Sequence, residues 1–328
     1  MFDVSTMGEL HKLNALLRTN NGGLPSRQEV RQKLVTRGDF QHPVSLAEPE
    51  LRAFTGGRPV VAVDGSRLEY GSFYPYYVVF MKSLAKSTGA VQGEDSVCNS
   101  QVLTPIDPDL FAQVELYREQ RQISVDEAYR NILKESLAQM EIRTALEAVK
   151  KFNPCLLILD GGFLLFDKFP EWQELCKQCE EEDIILVGVI EEIATAELGK
   201  WLNLVSTIRP RVYDREVLFG LFEPGEYIHF FSQYHIKKNY CTVFGRLASA
   251  PQACGFDFLP EQEEEVPATM NFLYTVTPHR GQGIPAWLQI VDTEVRIRKK
   301  EMDRLVNTFI DQDVYEKYFK ANRDRRVY

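Results

Sequence analysis

A chain of 328 residues with 44% hydrophobic content can bury one large core or two modest ones. Its formal charge of −9 excludes a broadly basic coat for nucleic acid, but leaves room for a local cationic surface or for acids that hold metal. No apolar run is long enough to cross a bilayer, and Met1–Lys12 carries acids and polar residues where a secretory signal has a basic and then an apolar segment. A cytoplasmic protein without a membrane partner is expected. The six cysteines (Cys98, Cys155, Cys176, Cys179, Cys241, Cys254) show no disulfide-framework spacing, and Cys176-x-x-Cys179 has no second pair at zinc-ribbon distance.

Leu10, Leu13, Leu16 and Leu17 stand at helical spacing and predict an amphipathic helix over 6–20, packed on the body or on another subunit. Asn20-Asn21-Gly22-Gly23 ends it. Ser26 and Glu29 have capping-box spacing and open a second short helix. A loop-rich stretch from Pro43 to Pro59 completes an N-terminal helical segment, residues 1–57, ahead of the main domain, 58–328.

Val60–Ser66, Val-Val-Ala-Val-Asp-Gly-Ser, reads as a buried strand that ends in Asp64. Gly65 lets the backbone turn and leaves room for a close approach. A carboxylate at the end of a buried strand needs a partner, because an unpaired charge there is costly. A metal ion would serve, and one Asp cannot hold it. Tyr70–Met81 predicts a strand antiparallel to the first, with the bend at Gly71 and Ser72, and a third strand is expected near Ser96–Leu103. Together they form a meander.

Ser124 and Glu127 give a second capping box, with Ser124 as N-cap of a helix that can run to about Lys151. Tyr129, Leu133, Leu137 and Met140 form one stripe on it; Ile142, Leu146 and Val149 form another, offset from the first. Leu156–Gly162, Leu-Leu-Ile-Leu-Asp-Gly-Gly, then repeats the apolar strand, Asp and glycine. Either Asp-Gly pair alone could be an ordinary turn. Two of them, each after a long apolar run, favour a site in which Asp64 and Asp160 meet.

A helix over Glu171–Glu182, a strand over Ile184–Ile190 and a helix over Ala194–Leu202 follow. Buried strands linked by helices signal parallel pairing, so the body is α/β: a meander followed by crossover units. Tyr227–Tyr234 and Asn239–Leu247 predict a hairpin joined near Lys237–Asn239, within a β-rich insertion at about 217–268. Glu261–Glu265 reads as a solvated acidic loop and Met270–Val276 as a strand. The irregular Gly281–Ile290 segment delivers Asp292 to the start of a last helix, about Thr293–Phe309, which bears Arg296, Arg298, Lys299, Lys300 and Arg304.

The expected site therefore contains Asp64, Asp160 and Asp292, with a fourth acid from the long helix. Glu141 and Glu147 are the candidates; six residues apart, they face roughly 120° away from each other, so only one can enter a shared site. Carboxylates are the ligands that Mg²⁺ or Mn²⁺ prefers, and two such ions can activate a water and stabilise the leaving oxygen of a phosphodiester.

Val63-Asp64-Gly65-Ser66, Leu159-Asp160-Gly161, Val212-Tyr-Asp-Arg215 followed by Glu223-Pro-Gly-Glu226, and Gly283-Ile-Pro-Ala-Trp-Leu-Gln-Ile-Val-Asp292 together resemble the NurA nuclease family in order and separation. That resemblance implies a ribonuclease H-like mixed sheet with flanking helices. It also implies a manganese-dependent (or magnesium-dependent) deoxyribonuclease with 5′–3′ exonuclease and single-strand endonuclease activity, usually a homodimer. Such an enzyme works beside a hexameric HerA-type helicase in the resection of DNA double-strand breaks. Asp64, a helix Glu (Glu141, or alternatively Glu147) and Asp160 would be metal ligands, and Asp292 matches the late motif position that completes the site. Ser66, His279, Arg280 and Arg296 are candidate substrate-binding residues, and Tyr74, Tyr76 and Tyr77 candidate base-stacking ones. Asp214-Arg215 reads as a structural ion pair.

The chain departs from the family at Ile284, where a tyrosine is common, and at Glu191-Glu192, where a lysine often stands. These departures support one alternative, a catalytically weak or silent partner subunit of a DNA translocase. Another is a metal-dependent phosphatase or ATPase; no Gly-Lys-Ser/Thr loop is present for it.

Overall fold

The two Asp-Gly strands lie side by side in the middle of one large sheet. A computed structural model describes residues 4–73, 75–207 and 209–319. Helices α1 (Val4–Asn21) and α2 (Arg27–Leu34), strand β1 (Gly38–Gln41) and helix α3 (Glu48–Thr55) precede a meander of β2 (Val60–Phe73), β3 (Tyr76–Val91) and β4 (Glu94–Leu103). Then come α4 (Pro108–Arg121), α5 (Val125–Phe152), β5 (Leu156–Asp160), α6 (Pro170–Glu181), β6 (Ile185–Ile190), α7 (Glu197–Trp201) and α8 (Asp214–Leu218). Strands β7 (Glu226–Phe230), β8 (Cys241–Arg246) and β9 (Cys254–Phe258) lead to helices α9 (Val266–Thr275), α10 (Ala286–Val295), α11 (Lys299–Phe309) and α12 (Gln312–Tyr318).

The strands form a nine-stranded sheet of order β1-β7-β8-β9-β6-β5-β2-β3-β4. Its inner part, an antiparallel meander with two parallel strands added beside the first, is the ribonuclease H-like α/β arrangement that the sequence predicts. The outer part is not a separate hairpin: β7 and β8 pair as expected, and β9 joins them to β6. None of the described helices is long and apolar enough to cross a membrane.

Register sets the site. β5 runs parallel to β2 with Val63 opposite Leu159, so Asp64 and Asp160 are the next residues on neighbouring strands. The expectation that β2 ends at Asp64 is corrected. β2 continues, paired to β3 on its other side through Gly71 opposite Tyr77, and only β5 stops. The two strands part at the acids. The bend expected at Gly71 and Ser72 falls beyond Phe73, and Tyr74 lies outside the described residues.

Helix α5 lies across β2 and β3. Ser124 Oγ accepts the Glu127 N–H at 3.2 Å, one half of the expected capping box, and Asn153 ends the helix at φ 42°. Its two stripes enter different cores. Tyr129, Leu133 and Met140 pack with Val79, Met81 and Val114, whereas Ile142, Leu146 and Val149 pack with Val61, Leu157 and Trp172. Cys176 and Cys179 belong to this second core, where burial pushes the Cys176 thiol up to about 12. They are packing residues.

Other expectations change. Met270–Val276 is mostly helix, within α9, because a short apolar run fits a buried helix as well as a strand. Asp292 is inside α10, and the chain breaks at Arg296–Arg298 before α11. Glu261–Glu265 lies in a 3₁₀ turn, Pro260–Glu265. Helix α2 carries the full Ser26–Glu29 capping box, and Arg31 forks onto Glu226 at 2.6 and 2.7 Å, which fastens it to β7. Helix α1 does not pack on the body: Leu10, Leu13, Leu16 and Leu17 are 50–69% exposed.

Candidate active site

Asp64 projects from the face of β2 that Val60 and Ala62 share, and is 5% exposed. Its Oδ1 accepts the Gly65 N–H at 2.6 Å. Asp160, the last residue of β5, is open to solvent on one side and within hydrogen-bonding reach of Asp64. Burial, then the Asp160 charge and more distantly Asp292, push the Asp64 carboxyl up to about 7. Burial also raises Asp160, with Glu191 and Asp292 adding to it, while the hydrogen bond from Asp64 opposes the rise. One proton shared between the two carboxyls satisfies both observations.

Glu141 comes from α5 on the other face. It is half-buried, and burial with the charges of Asp64 and Asp160 raises its carboxyl well above the ordinary range. Gly65 permits the approach: a Cβ there would collide with Glu141 Oε1 and come within 2.9 Å of Leu137 Cδ1. Glu147, on the same helix, is exposed and faces Asn99 at 3.3 Å, away from the aspartates. Asp292 stands near enough to act on both aspartates, while Arg296 closes on it from one turn later at 2.6 Å.

The turn after Asp160 has a floor. A Cβ on Gly162 would lie 2.9 Å from both Asp257 Oδ2 and Lys237 Nζ. Those two residues form a buried ion pair, and Asp257 also accepts from the Phe163 N–H at 3.0 Å and Thr242 Oγ1 at 2.8 Å. Neither residue carries a sequence signal; they meet only because β8 and β9 join the sheet. Glu191 was legible. It follows the β6 run as Asp160 follows β5, and its charge acts on Asp160.

The remaining candidates are scattered. Ser66 Oγ accepts the Ile297 N–H at 3.3 Å, tying β2 to the break after α10. His279 and Arg280 are exposed in the loop before α10 and make no side-chain contact with the acids among the described residues. Tyr76 stacks on Tyr318 at 4.9 Å and Tyr77 meets Tyr129 edge-on at 5.3 Å. Ile284 is a core residue. Asp214 and Arg215 are not an ion pair: buried Asp214 accepts the Glu197 and Leu198 N–H groups at 3.2 and 2.8 Å, and Arg215 reaches Glu192 at 3.5 Å.

The strongest charges acting on Asp64, Asp160 and Glu141 are all negative. An all-oxygen donor set with an unbalanced negative charge fits a hard divalent cation such as Mg²⁺ or Mn²⁺. The sheet order is that of a ribonuclease H-like fold, and the acids gather where β2 and β5 part.

The family model described as the NurA domain matches residues 58–297, and the chain belongs to the NurA family of nucleases. The crystal structure of the NurA nuclease from Sulfolobus solfataricus superposes with a TM-score of 0.56 at 14% identity, covering 94% of this chain and 96% of that one. The catalytic domain of human endonuclease V aligns over 85% of this chain and 95% of its own, at 13% identity and a TM-score of 0.39. The Bacillus subtilis endonuclease V aligns over 87% and 95%, at 11% identity and a TM-score of 0.39. No curated protein matches the sequence.

Proposed function

We propose that this NurA-family nuclease hydrolyses DNA phosphodiesters with divalent metal, Mn²⁺ or Mg²⁺, held by Asp64, Glu141, Asp160 and Asp292 in a nuclease domain of residues 58–328. The observation that carries the reading is the meeting of Asp64 and Asp160 where β2 and β5 part, with Glu141 closing against Gly65. Bound divalent cations would supply an activated water and neutralise charge on the leaving oxygen. The chain's own residues do the rest. Asp64 and Gly65 hold the buried end of the site, Asp160 opens it to solvent, and Arg296 orients Asp292 through its fork. The basic residues Arg298, Lys299, Lys300 and Arg304 lie just beyond and would meet backbone phosphates.

Family membership supports the finer reading: a cytoplasmic homodimer acting beside a HerA-type hexameric ATPase in double-strand break resection, as a 5′–3′ exonuclease and single-strand endonuclease. A second reading, a weakly active or silent subunit of a DNA translocase, draws on Glu191, whose charge acts on Asp160 where a phosphate would arrive. End-labelled DNA incubated with Mn²⁺, Mg²⁺ or EDTA, with and without the motor, separates them. Metal-dependent cleavage that Asp64→Ala abolishes, with circular dichroism unchanged, is expected; cleavage that survives the substitution refutes the assignment. No cleavage in any arm establishes the silent subunit.

A further inference from the structure

A second cluster of ligating side chains lies in the outer half of the sheet. His229 is on β7 and Cys241 opens β8; they share a face as diagonal neighbours, since His229 is in register with Val243. His229 Nε2 is 3.4 Å from Cys241 Sγ and 3.3 Å from Glu263 Oε1, the glutamate being supplied by the Pro260–Glu265 turn. Among the described residues this is the one group of His, Cys and acid whose ligand atoms all lie within 4.8 Å of one another. His235 Nε2 is 3.7 Å from the same Glu263 oxygen, buried and without a hydrogen-bond partner.

Hydrogen bonding does not satisfy this arrangement. A neutral imidazole Nε2 either carries a proton and donates to Glu263, or is bare and accepts from the thiol; it cannot do both. A cation at the centre satisfies His229, Cys241 and Glu263 at once. Bonds of about 2.0–2.1 Å to nitrogen and oxygen and about 2.3 Å to sulfur, at tetrahedral angles, put N and O about 3.3 Å apart and N and S about 3.5 Å apart. The observed separations are 3.3 and 3.4 Å.

We propose that His229, Cys241 and Glu263 form a site for zinc, with His235 standing beside it. The donor set sets the class: a thiolate with an imidazole and a carboxylate selects a borderline-soft metal, where an all-oxygen set selects Mg²⁺ or Mn²⁺. Binding deprotonates Cys241 and releases that proton to solvent. Three protein ligands fill three of the four tetrahedral positions and leave the fourth to water. Ser232 Oγ, 3.3 Å from Glu263, orients the carboxylate from outside. The site is separate from the acids. His229 is level with Asp160 through Val243, Phe256 and Val189, four strand positions away, or roughly 19 Å at about 4.8 Å per strand. It pins both ends of the β7–β8 connection, which carries Lys237 beneath Gly162.

The test uses the full chain, purified without chelator, loaded with Zn²⁺ and dialysed, with metal content measured by mass spectrometry. About one zinc per chain is expected. Replacement by Co²⁺ should give an intense near-ultraviolet thiolate-to-cobalt band with tetrahedral visible bands. Cys241→Ser should lose the band and most of the metal, while Cys176→Ser and Asp64→Ala keep both. Less than about a tenth of an equivalent in the wild type, a cobalt spectrum without the thiolate band, or full metal in Cys241→Ser would overturn the site. The wild-type cobalt spectrum decides even if Cys241→Ser fails to fold.

Discussion

The inner and outer halves of the sheet treat buried charge in opposite ways. In the outer half each buried acid is answered: Glu226 by the Arg31 fork, Asp257 by Lys237, Asp214 by two backbone N–H groups. In the inner half, Asp64 and Asp160 face each other, and Glu141 and Asp292 add to the repulsion. The same chain that balances its acids elsewhere leaves two carboxyls at β2 and β5 that can both ionise only against each other, a repulsion the shared proton relieves in part. The contrast separates acids whose charge the fold answers from acids whose charge it leaves unanswered.

The largest effect expected is from Asp160→Asn. It should lower DNA cleavage by more than about 100-fold, since even residues behind metal ligands cost 10–100-fold. It should also raise the melting temperature of chelator-treated protein by about 2 °C, because repulsion is removed. A lower melting temperature would break the comparison. Gly65→Ala comes next. Its Cβ meets Glu141 and Leu137, so α5 must shift; about 100-fold loss in kcat and a destabilisation of about 1–3 kcal/mol are expected from kinetics and urea titration. Unchanged kcat would remove Glu141 from the site.

Arg31→Ala tests the outer half. It leaves Glu226 buried without its fork and should cost about 2 kcal/mol, less than a fully buried pair because Arg31 is partly exposed, with kcat retained. The smallest effect is in pH. The Arg31 fork holds the Glu226 carboxyl below its ordinary 4.5 in spite of burial. A depressed carboxyl contributes stability that is complete above that ordinary value and is lost as pH falls through the lowered one. The wild type's advantage over Glu226→Gln should therefore stay level from neutral pH down to 4.5 and shrink below it. A level difference at lower pH would show that the fork contributes packing alone.

The inner half was the legible one. Two apolar runs that each end in Asp-Gly predict level strands because β5 and β2 are buried on both faces, and their register then follows. The offset stripes of α5 were readable for the same reason: helical periodicity records which core each side chain enters. Asp292 is legible as an acid at an expected helix start and as the end of the late motif; its place inside α10 is not, because Gly281–Ile290 carries both glycine and proline while Thr293 mimics a start. The run Met270–Val276 holds no periodicity that separates helix from strand. β9 (Cys-Gly-Phe-Asp-Phe) and β1 (Gly-Asp-Phe-Gln) carry glycine and aspartate in place of an apolar run and so leave no strand signal. Long-range pairings such as Arg31 with Glu226, Lys237 with Asp257, and His229 with Cys241 and Glu263 leave no local pattern, since each depends on strand order across the sheet.

The floor under Gly162 has a consequence for synthesis. Asp64, Glu141 and Asp160 are synthesised first, but Asp257, which with Lys237 supports the turn after Asp160, follows Asp160 by about a hundred residues, and Asp292 comes later still. A nascent or truncated chain that stops short of β9 carries these three carboxylates without the buried acceptor that holds the Gly162–Phe163 turn. On the proposed assignment, competence to cut is thereby deferred until almost the whole polypeptide has been made.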